Sequence, residues 1–147
     1  MRVSFDFDGV IALPKWDEEK EDWERDAKGN RTEYFNPKIG QKIKDHAVAG
    51  DEVIVVTSRL AIWREETEAF IADNNLMGYI DGVYFTNNSW KANTLKKMKV
   101  DLHYDDYMEE LRRIKYKKIK VILVKDTYLD EDPDIPTKDL GTGWPKY

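Results

Sequence analysis

The sequence predicts an α/β fold, a Rossmann-like doubly wound parallel sheet of about five strands with helices on both faces and a flap hairpin after the first strand. Three observations carry that expectation. Short apolar runs rich in Val, Ile and Phe recur along the chain, at 3–7, 53–56, 82–85, 100–104 and 119–124. Segments whose apolar residues recur at helical spacing separate them. Four of the runs end at or near polar residues suited to holding a ligand, as expected where ligands sit outside the carboxyl ends of parallel strands.

Each element has its own signal. In the first run Val3, Phe5 and Phe7 alternate with Ser4 and Asp6, which reads as a strand with Asp6 and Asp8 on one face, broken by Gly9. A charged insert from about 13 to 36 follows and contains Trp16, Trp23, Tyr34 and Phe35. Gly29-Asn30 in its middle is a turn signal, so 23–25 is expected to pair with 32–35. Asn36-Pro37 reads as a helix cap followed by proline at the first helical position, and the helix through Ile39, Ile43 and Ala47 should end at Gly50. After the second strand a helix is expected from about 61 to 74, with Ile62, Trp63, Ala69 and Phe70 inward. A helix carrying Lys91, Leu95 and Met98 links the third strand to the fourth. Another, carrying Met108, Leu111 and Ile114, precedes the last. An acidic, proline-containing tail runs from about 125 to 147, and there is no internal repeat.

Size and composition agree. A chain of 147 residues builds one core, so a single domain over 1–147 is expected. No apolar stretch is long enough to span a membrane, and the first strand starts too near Met1 to leave room for a targeting segment, so a cytoplasmic enzyme is the expectation. The absence of cysteine excludes a disulfide framework and a thiol nucleophile, and only two histidines are available for metal work. The net charge of −5 argues against strong nonspecific nucleic-acid affinity, although basic residues gather at Arg112, Arg113, Lys115, Lys117, Lys118 and Lys120.

The polar groups at the strand ends define a candidate site. Asp6 and Asp8 are carboxylates close enough to repel each other, and the usual remedies are a cation between them or a raised pKa. Thr57-Ser58-Arg59 follows the second strand, Lys91 precedes the fourth, and Asp105-Asp106 ends it.

This order resembles that of the haloacid dehalogenase-like phosphohydrolases, over roughly residues 1–124. The family's four motifs are an Asp-x-Asp after the first strand, a Thr or Ser ending a strand, a Lys before the fourth strand and an acidic pair at its end. They are matched by Asp6 and Asp8, Thr57, Lys91, and Asp105 with Asp106. The resemblance implies that Asp6 is a nucleophile forming an aspartyl-phosphate, and that Asp8 protonates the leaving oxygen and later deprotonates water. It further implies a Mg2+ site made by Asp6, the backbone carbonyl of Asp8, and Asp105 or Asp106. Thr57 and Ser58 would hold phosphoryl oxygens, Lys91 would neutralise charge, and Arg59 would contact substrate. A carboxyl group at position 8, where the ion-pumping relatives carry Thr, points to phosphate-ester hydrolysis rather than a long-lived phosphoenzyme or dehalogenation. The short insert implies a nearly capless member with an open site.

Other readings of the same residues stand beside these. Thr57 or Ser58 fits a helix cap, as does Asp105-Asp106 before Met108. Lys91 lies near Lys96, Lys97 and Lys99, a run that fits a solvated face. Arg59 would pair equally well with Glu65 or Glu66. His103 fits a hydrogen-bonded core histidine, and His46 has no motif around it. An open site suits a nucleotide, a nucleic-acid end or a phosphoprotein, and a small substrate if the flap or a neighbouring subunit closes it. Trp16 and Trp23 fit base stacking or simple anchoring of the flap. Two other function classes remain: a catalytically silent binding module of this fold, and a receiver-like phosphoacceptor, which would carry its lysine at the last strand.

Overall fold

A computed structural model describes residues 1–125 and 128–137. The chain starts with β1 (Arg2–Phe5) and enters a flap of four short strands, β2 (Ala12–Pro14), β3 (Trp16–Asp17), β4 (Asp22–Trp23) and β5 (Glu33–Phe35). Then follow α1 (Pro37–Val48), β6 (Glu52–Thr57), a 3-10 turn (Ala61–Trp63), α2 (Arg64–Asp73) and β7 (Gly82–Phe85). The last elements are α3 (Ala92–Lys97), β8 (Leu102–Asp105), α4 (Met108–Tyr116), β9 (Lys120–Val124) and β10 (Leu129–Asp130). The main sheet has six strands in the order β10-β9-β8-β1-β6-β7. Five are mutually parallel, as the sequence predicts; β10 adds an antiparallel edge strand from within the tail. The remainder of the tail expectation, at 126–127 and 138–147, lies outside the described residues.

Helices cover both faces because the strands alternate two apolar sets. Val3, Phe5, Val53, Val55, Leu102 and Tyr104 face Ile39 and Ile43 of α1 and Ile71 of α2. Ile54, Val56, Val121 and Leu123 face Leu95 of α3 and Leu111 and Ile114 of α4. The cap of α1 is the expected one: the Asn36 side chain accepts from the Lys38 N–H, with Pro37 next to it. Its end is also as expected, with Gly50 at φ +91° just past Ala49. Among the described residues no helix is long and apolar enough to cross a membrane.

Three expectations are corrected. The α2 segment does not turn Ile62, Trp63 and Ala69 inward; all three are exposed, Ile62 by 81 %. The 3-10 turn offsets the helix, and Thr67 fixes the buried face by donating to the Trp63 carbonyl and accepting from Arg59. Thr67 and Ile71 are buried, while Phe70 sits edge-on to Phe7 at 5.5 Å between ring centroids.

The flap is the second. Its inner rungs form as expected, with the Thr32 N–H donating to the Glu24 carbonyl and an Arg25–Arg31 bridge. Residues 33–35 instead leave that ladder and pair with β2. Phe35 is drawn there by α1: a Cβ on Gly40 would lie 2.3 Å from its ring. The third concerns Asp6 and Asp8. The first strand ends at Phe5, so both carboxylates lie past it rather than on it, and the amides of Ile11 and Ala12 both bond the Phe7 carbonyl, closing a tight loop that carries Asp8.

Candidate active site

β1 lies between β8 and β6, and the chain winds from β1 outward to β7 before crossing back to β8 and β9. The crevice of such a sheet opens at this reversal, outside the carboxyl ends of the strands. Asp6 follows the last residue of β1, and Asp105 is the last residue of β8. Between them opens a cavity of about 400 Å3 lined by Asp6, Asp8, Ser58, Lys91, Asp105 and Asp106. Six of the sequence-predicted residues are thus brought together.

Lys91 is the centre of this arrangement. It is 1 % exposed, unlike Lys96, Lys97 and Lys99, so the solvated-face reading fails. Its ammonium stands 2.9 Å from Asp6 Oδ1 and 2.7 Å from Asp105 Oδ2. Its backbone N–H donates to buried Glu110 Oε2 of α4 at 3.1 Å, which holds the start of α3 against α4.

Asp105 is fully buried and hydrogen-bonded on both oxygens. Oδ2 accepts from Lys91 and from His103 Nε2 at 2.9 Å, and Oδ1 accepts from the Tyr107 N–H at 3.1 Å. Because the carboxylate only accepts, the His103 proton is assigned to Nε2, and Nδ1 then accepts from the Ser4 hydroxyl at 2.6 Å. A buried chain Ser4–His103–Asp105–Lys91–Asp6 results. Asp105 therefore serves the start of α4 and the site at once. His103 is the bonded core histidine that the sequence allowed.

Charge in this cluster is unbalanced. Burial raises Asp6 well above the carboxylate range, the Asp105 charge adds to it, and Lys91 only partly offsets them. Burial pushes Asp105 the same way, but the Lys91 charge and the His103 hydrogen bond outweigh it and hold Asp105 well below that range. Burial disfavours the Lys91 ammonium, yet Asp105, Asp6 and Glu110 together raise it above its ordinary value. Burial lowers His103, keeping the imidazole neutral. Asp106 lies against Gly9 on one side and is exposed on the other; its partial burial together with the Asp105 charge pushes its carboxyl up to about 7.

The donors fit a hard divalent cation. One oxygen from each of Asp6, Asp105 and Asp106 lies within 4.8 Å of the others, and the one ammonium beside them pairs with Asp6 and Asp105. An all-oxygen set of this kind suits Mg2+, and a cation there would relieve the imbalance that raises Asp6 and Asp106.

Arg59 and Thr57 are tied to their neighbours, and Thr57 takes the capping place the sequence allowed. Arg59 does not pair with Glu65 or Glu66. Its guanidinium grips Asp8 with both arms, Nε to Oδ2 at 2.9 Å and Nη2 to Oδ1 at 2.8 Å, and also bonds Glu33 Oε1 at 2.6 Å. The guanidinium lies over the Phe7 ring, 4.6 Å from its centroid. This arginine therefore ties the Asp8 loop to flap strand β5. Thr57 is fully buried and accepts the Arg59 N–H at 3.2 Å, capping the turn after β6; Ser58 is the hydroxyl that lines the cavity.

Ser4, Glu33 and Glu110 were missed from sequence. Ser4 and His103 sit opposite each other in the β1–β8 register, a relation that spacing along one strand does not show. His46, which has no sequence motif, bonds Asp51 Oδ2 through Nδ1 at 2.9 Å and the Tyr104 hydroxyl through Nε2 at 2.8 Å, fastening α1 to the sheet.

No protein-family model matches the chain, and no curated protein matches it either. Solved structures do. A chain of the Pnkp1/Rnl/Hen1 RNA repair complex matches with a TM-score of 0.61 and 22 % identity, over 83 % of this chain and 41 % of that one. A second Pnkp1/Rnl/Hen1 complex gives the same score and identity over 83 % and 45 %. The 3-deoxy-D-manno-octulosonate 8-phosphate phosphatase of Moraxella catarrhalis, in complex with magnesium, phosphate and KDO, matches with a TM-score of 0.45 and 12 % identity, over 76 % and 62 %. This chain spans less than half the length of the first two. The likeness is one of fold. The Rossmann-like α/β fold expected from the sequence is the fold found.

Proposed function

We propose that the chain is a Mg2+-dependent phosphomonoester hydrolase of the haloacid dehalogenase type, working through an aspartyl-phosphate. The observation that carries this reading is the buried Lys91 ammonium clamped between Asp6 and Asp105 at the sheet's reversal point. A nucleophilic carboxylate facing a phosphate dianion needs positive charge beside it, and the buried Lys91 ammonium supplies it.

The contacts support a division of roles. Lys91 and the Phe7 N–H both bond Asp6 Oδ1, which leaves Oδ2 as the attacking oxygen. Oδ2 forms a bond to phosphorus as the bond to the leaving oxygen breaks, and Asp8 gives that oxygen its proton. Water then attacks the phosphorus of the aspartyl-phosphate, Asp8 takes the water's proton, and Asp6 and inorganic phosphate are released. Arg59 positions the Asp8 carboxylate at the rim of the cavity for the second step, in which Asp8 acts as the base; to act as the acid, Asp8 must carry a proton and give up part of this pairing. Ser58 is the hydroxyl available to the phosphoryl oxygens, with Thr57 stiffening the turn beneath it. Asp6, Asp105, Asp106 and the Asp8 carbonyl would hold Mg2+, which when bound neutralises phosphoryl charge.

The substrate class favoured is a nucleotide or the terminal phosphate of a nucleic acid. Its supports are the RNA repair complexes that share the fold and the aromatic flap beside the cavity. A receiver-like domain loses its support, because the lysine that pairs with the strand-end carboxylates is Lys91, which precedes β8, while Lys125 at the end of β9 forms no ion pair with them among the described residues. The test is phosphate release from nucleoside monophosphates, sugar phosphates and 3′- or 5′-phosphorylated oligonucleotides, with Mg2+ or a chelator. Turnover should require Mg2+ and vanish in Asp6→Asn with its circular dichroism unchanged. Release that survives either change overturns the mechanism; silence of the folded protein on every substrate favours a binding module.

A further inference from the structure

Beside the catalytic cavity lies a second one of about 540 Å3, and the two share Asp8 and Asp106 as a common wall. A group esterified to a phosphate on Asp6 would extend past Asp8 into this space. Its outer walls are the flap, through Trp23, Arg31 and Pro14, and the end of β9, through Lys125.

Two features give this cavity a chemical preference. The first is a planar wall. Trp16 and Trp23 are opposed in the β3–β4 register, with rings 5.3 Å apart and interplanar angle 89°, and the Arg31 guanidinium lies 5.5 Å from the Trp23 ring centroid. These indoles are 50 % and 37 % exposed, so they do not anchor the flap by burial in the core. Indole and guanidinium planes are the surfaces on which unstacked bases are held.

The second feature is charge. Asp8 and Glu33, which also line the cavity, share the single Arg59 guanidinium, and Asp106 stands in the wall next to the catalytic cavity. Arg31 and Lys125 enter no salt bridge among the described residues. The lining charges are thus divided, with the carboxylates towards the catalytic cavity and Arg59, and the two cations Arg31 and Lys125 on the flap and at the end of β9. A sugar phosphate would use neither feature, and a mononucleotide would leave the outer cations without a partner.

Resting on the phosphatase reading, we propose that this second cavity receives the terminal nucleotide of a phosphorylated single-stranded nucleic acid. Its base stacks on the Trp23–Arg31 wall, and the next phosphodiester lies toward Arg31 and Lys125. The volume is in the range of pockets that enclose small ligands, which suits one nucleotide rather than a duplex end.

The test compares kcat/KM of the full chain on a phosphorylated trinucleotide, the matching nucleoside monophosphate and p-nitrophenyl phosphate, all with Mg2+. The trinucleotide should be preferred. Trp23→Ala should cut the trinucleotide-to-p-nitrophenyl phosphate preference about tenfold, through KM rather than kcat, and Trp23→Phe should restore most of it. Lys125→Gln should narrow the gap between trinucleotide and mononucleotide and flatten its salt dependence. Equal losses on all substrates, or a mononucleotide as good as the trinucleotide, overturns the proposal. A binding measurement separates this inference from the phosphatase reading. Asp6→Asn protein is titrated with each ligand and followed by tryptophan fluorescence. Tighter trinucleotide binding that Trp23→Phe retains and Trp23→Ala loses supports the subsite even if no substrate turns over; equal binding of both ligands refutes it.

Discussion

At Lys91 a single ammonium, 1 % exposed, faces two carboxylates that burial alone would drive to their neutral forms. Such a residue cannot be removed without leaving charge behind. Lys91→Met keeps the length of the side chain but strips the counter-charge from Asp6 and Asp105, and breaking a buried pair from one side costs about 3–5 kcal/mol. The variant should melt well below the parent in chelator, recover part of that loss in Mg2+, and turn over at least about a hundredfold more slowly. An unchanged melting temperature would show that Lys91 does not compensate these carboxylates. The spacing of lysines along the chain could not single out this one. Lys91, Lys96, Lys97 and Lys99 look alike in sequence, and only the packing of α3 on α4, with Glu110 fixing the Lys91 amide, buries the first.

Among the elements, legibility follows how local the deciding contacts are. The parallel strands and α1 were readable because alternation, Asn36-Pro37 and Gly50 act within a few residues. The face of α2 was not, because Arg59 and the 3-10 turn set it from outside the helix. The flap's outer pairing was not, because Phe35 answers to Gly40 on α1. The loop after β1 is half legible: the sequence marks its break at Gly9 but not the contact that requires glycine there. Gly9 has φ +79°, and a Cβ there would stand 2.0 Å from Asp106 Oδ2. Gly9→Ala should therefore strain the loop and displace Asp106 from Asp6 and Asp105. The expected outcome is Mg2+ affinity weakened about tenfold and stability lower by about 1–3 kcal/mol, read by calorimetric titration and thermal melts. Retained Mg2+ affinity would remove Asp106 from the ligand set.

For the whole molecule, the opposed shifts at the two ends of the sheet combine into one dependence of stability on pH. Near the amino ends of the strands, hydrogen bonds from His46 and the Met1 amino group hold Asp51 below its ordinary range. A depressed carboxyl stabilises the fold above its unfolded value near 4 and loses that contribution as pH falls through the lower folded value. At the carboxyl ends Asp106 is raised to about 7, so between roughly pH 4 and 7 the folded state binds a proton that the unfolded state does not. Over that interval stability rises as pH falls. The metal-free protein should thus become more stable from pH 8 towards 5 and less stable below about 4, a maximum that thermal melts in chelator would locate. Mg2+ competes with the proton at Asp106, so saturating metal should raise the melting temperature most at pH 8 and flatten the limb between 8 and 5. Asp51→Asn should leave that limb in place and shallow the fall below 4. A chelator profile that declines steadily from pH 8 would show that Asp106 is ionised in the folded protein, and the charge imbalance on which the proposed cation site rests would be absent.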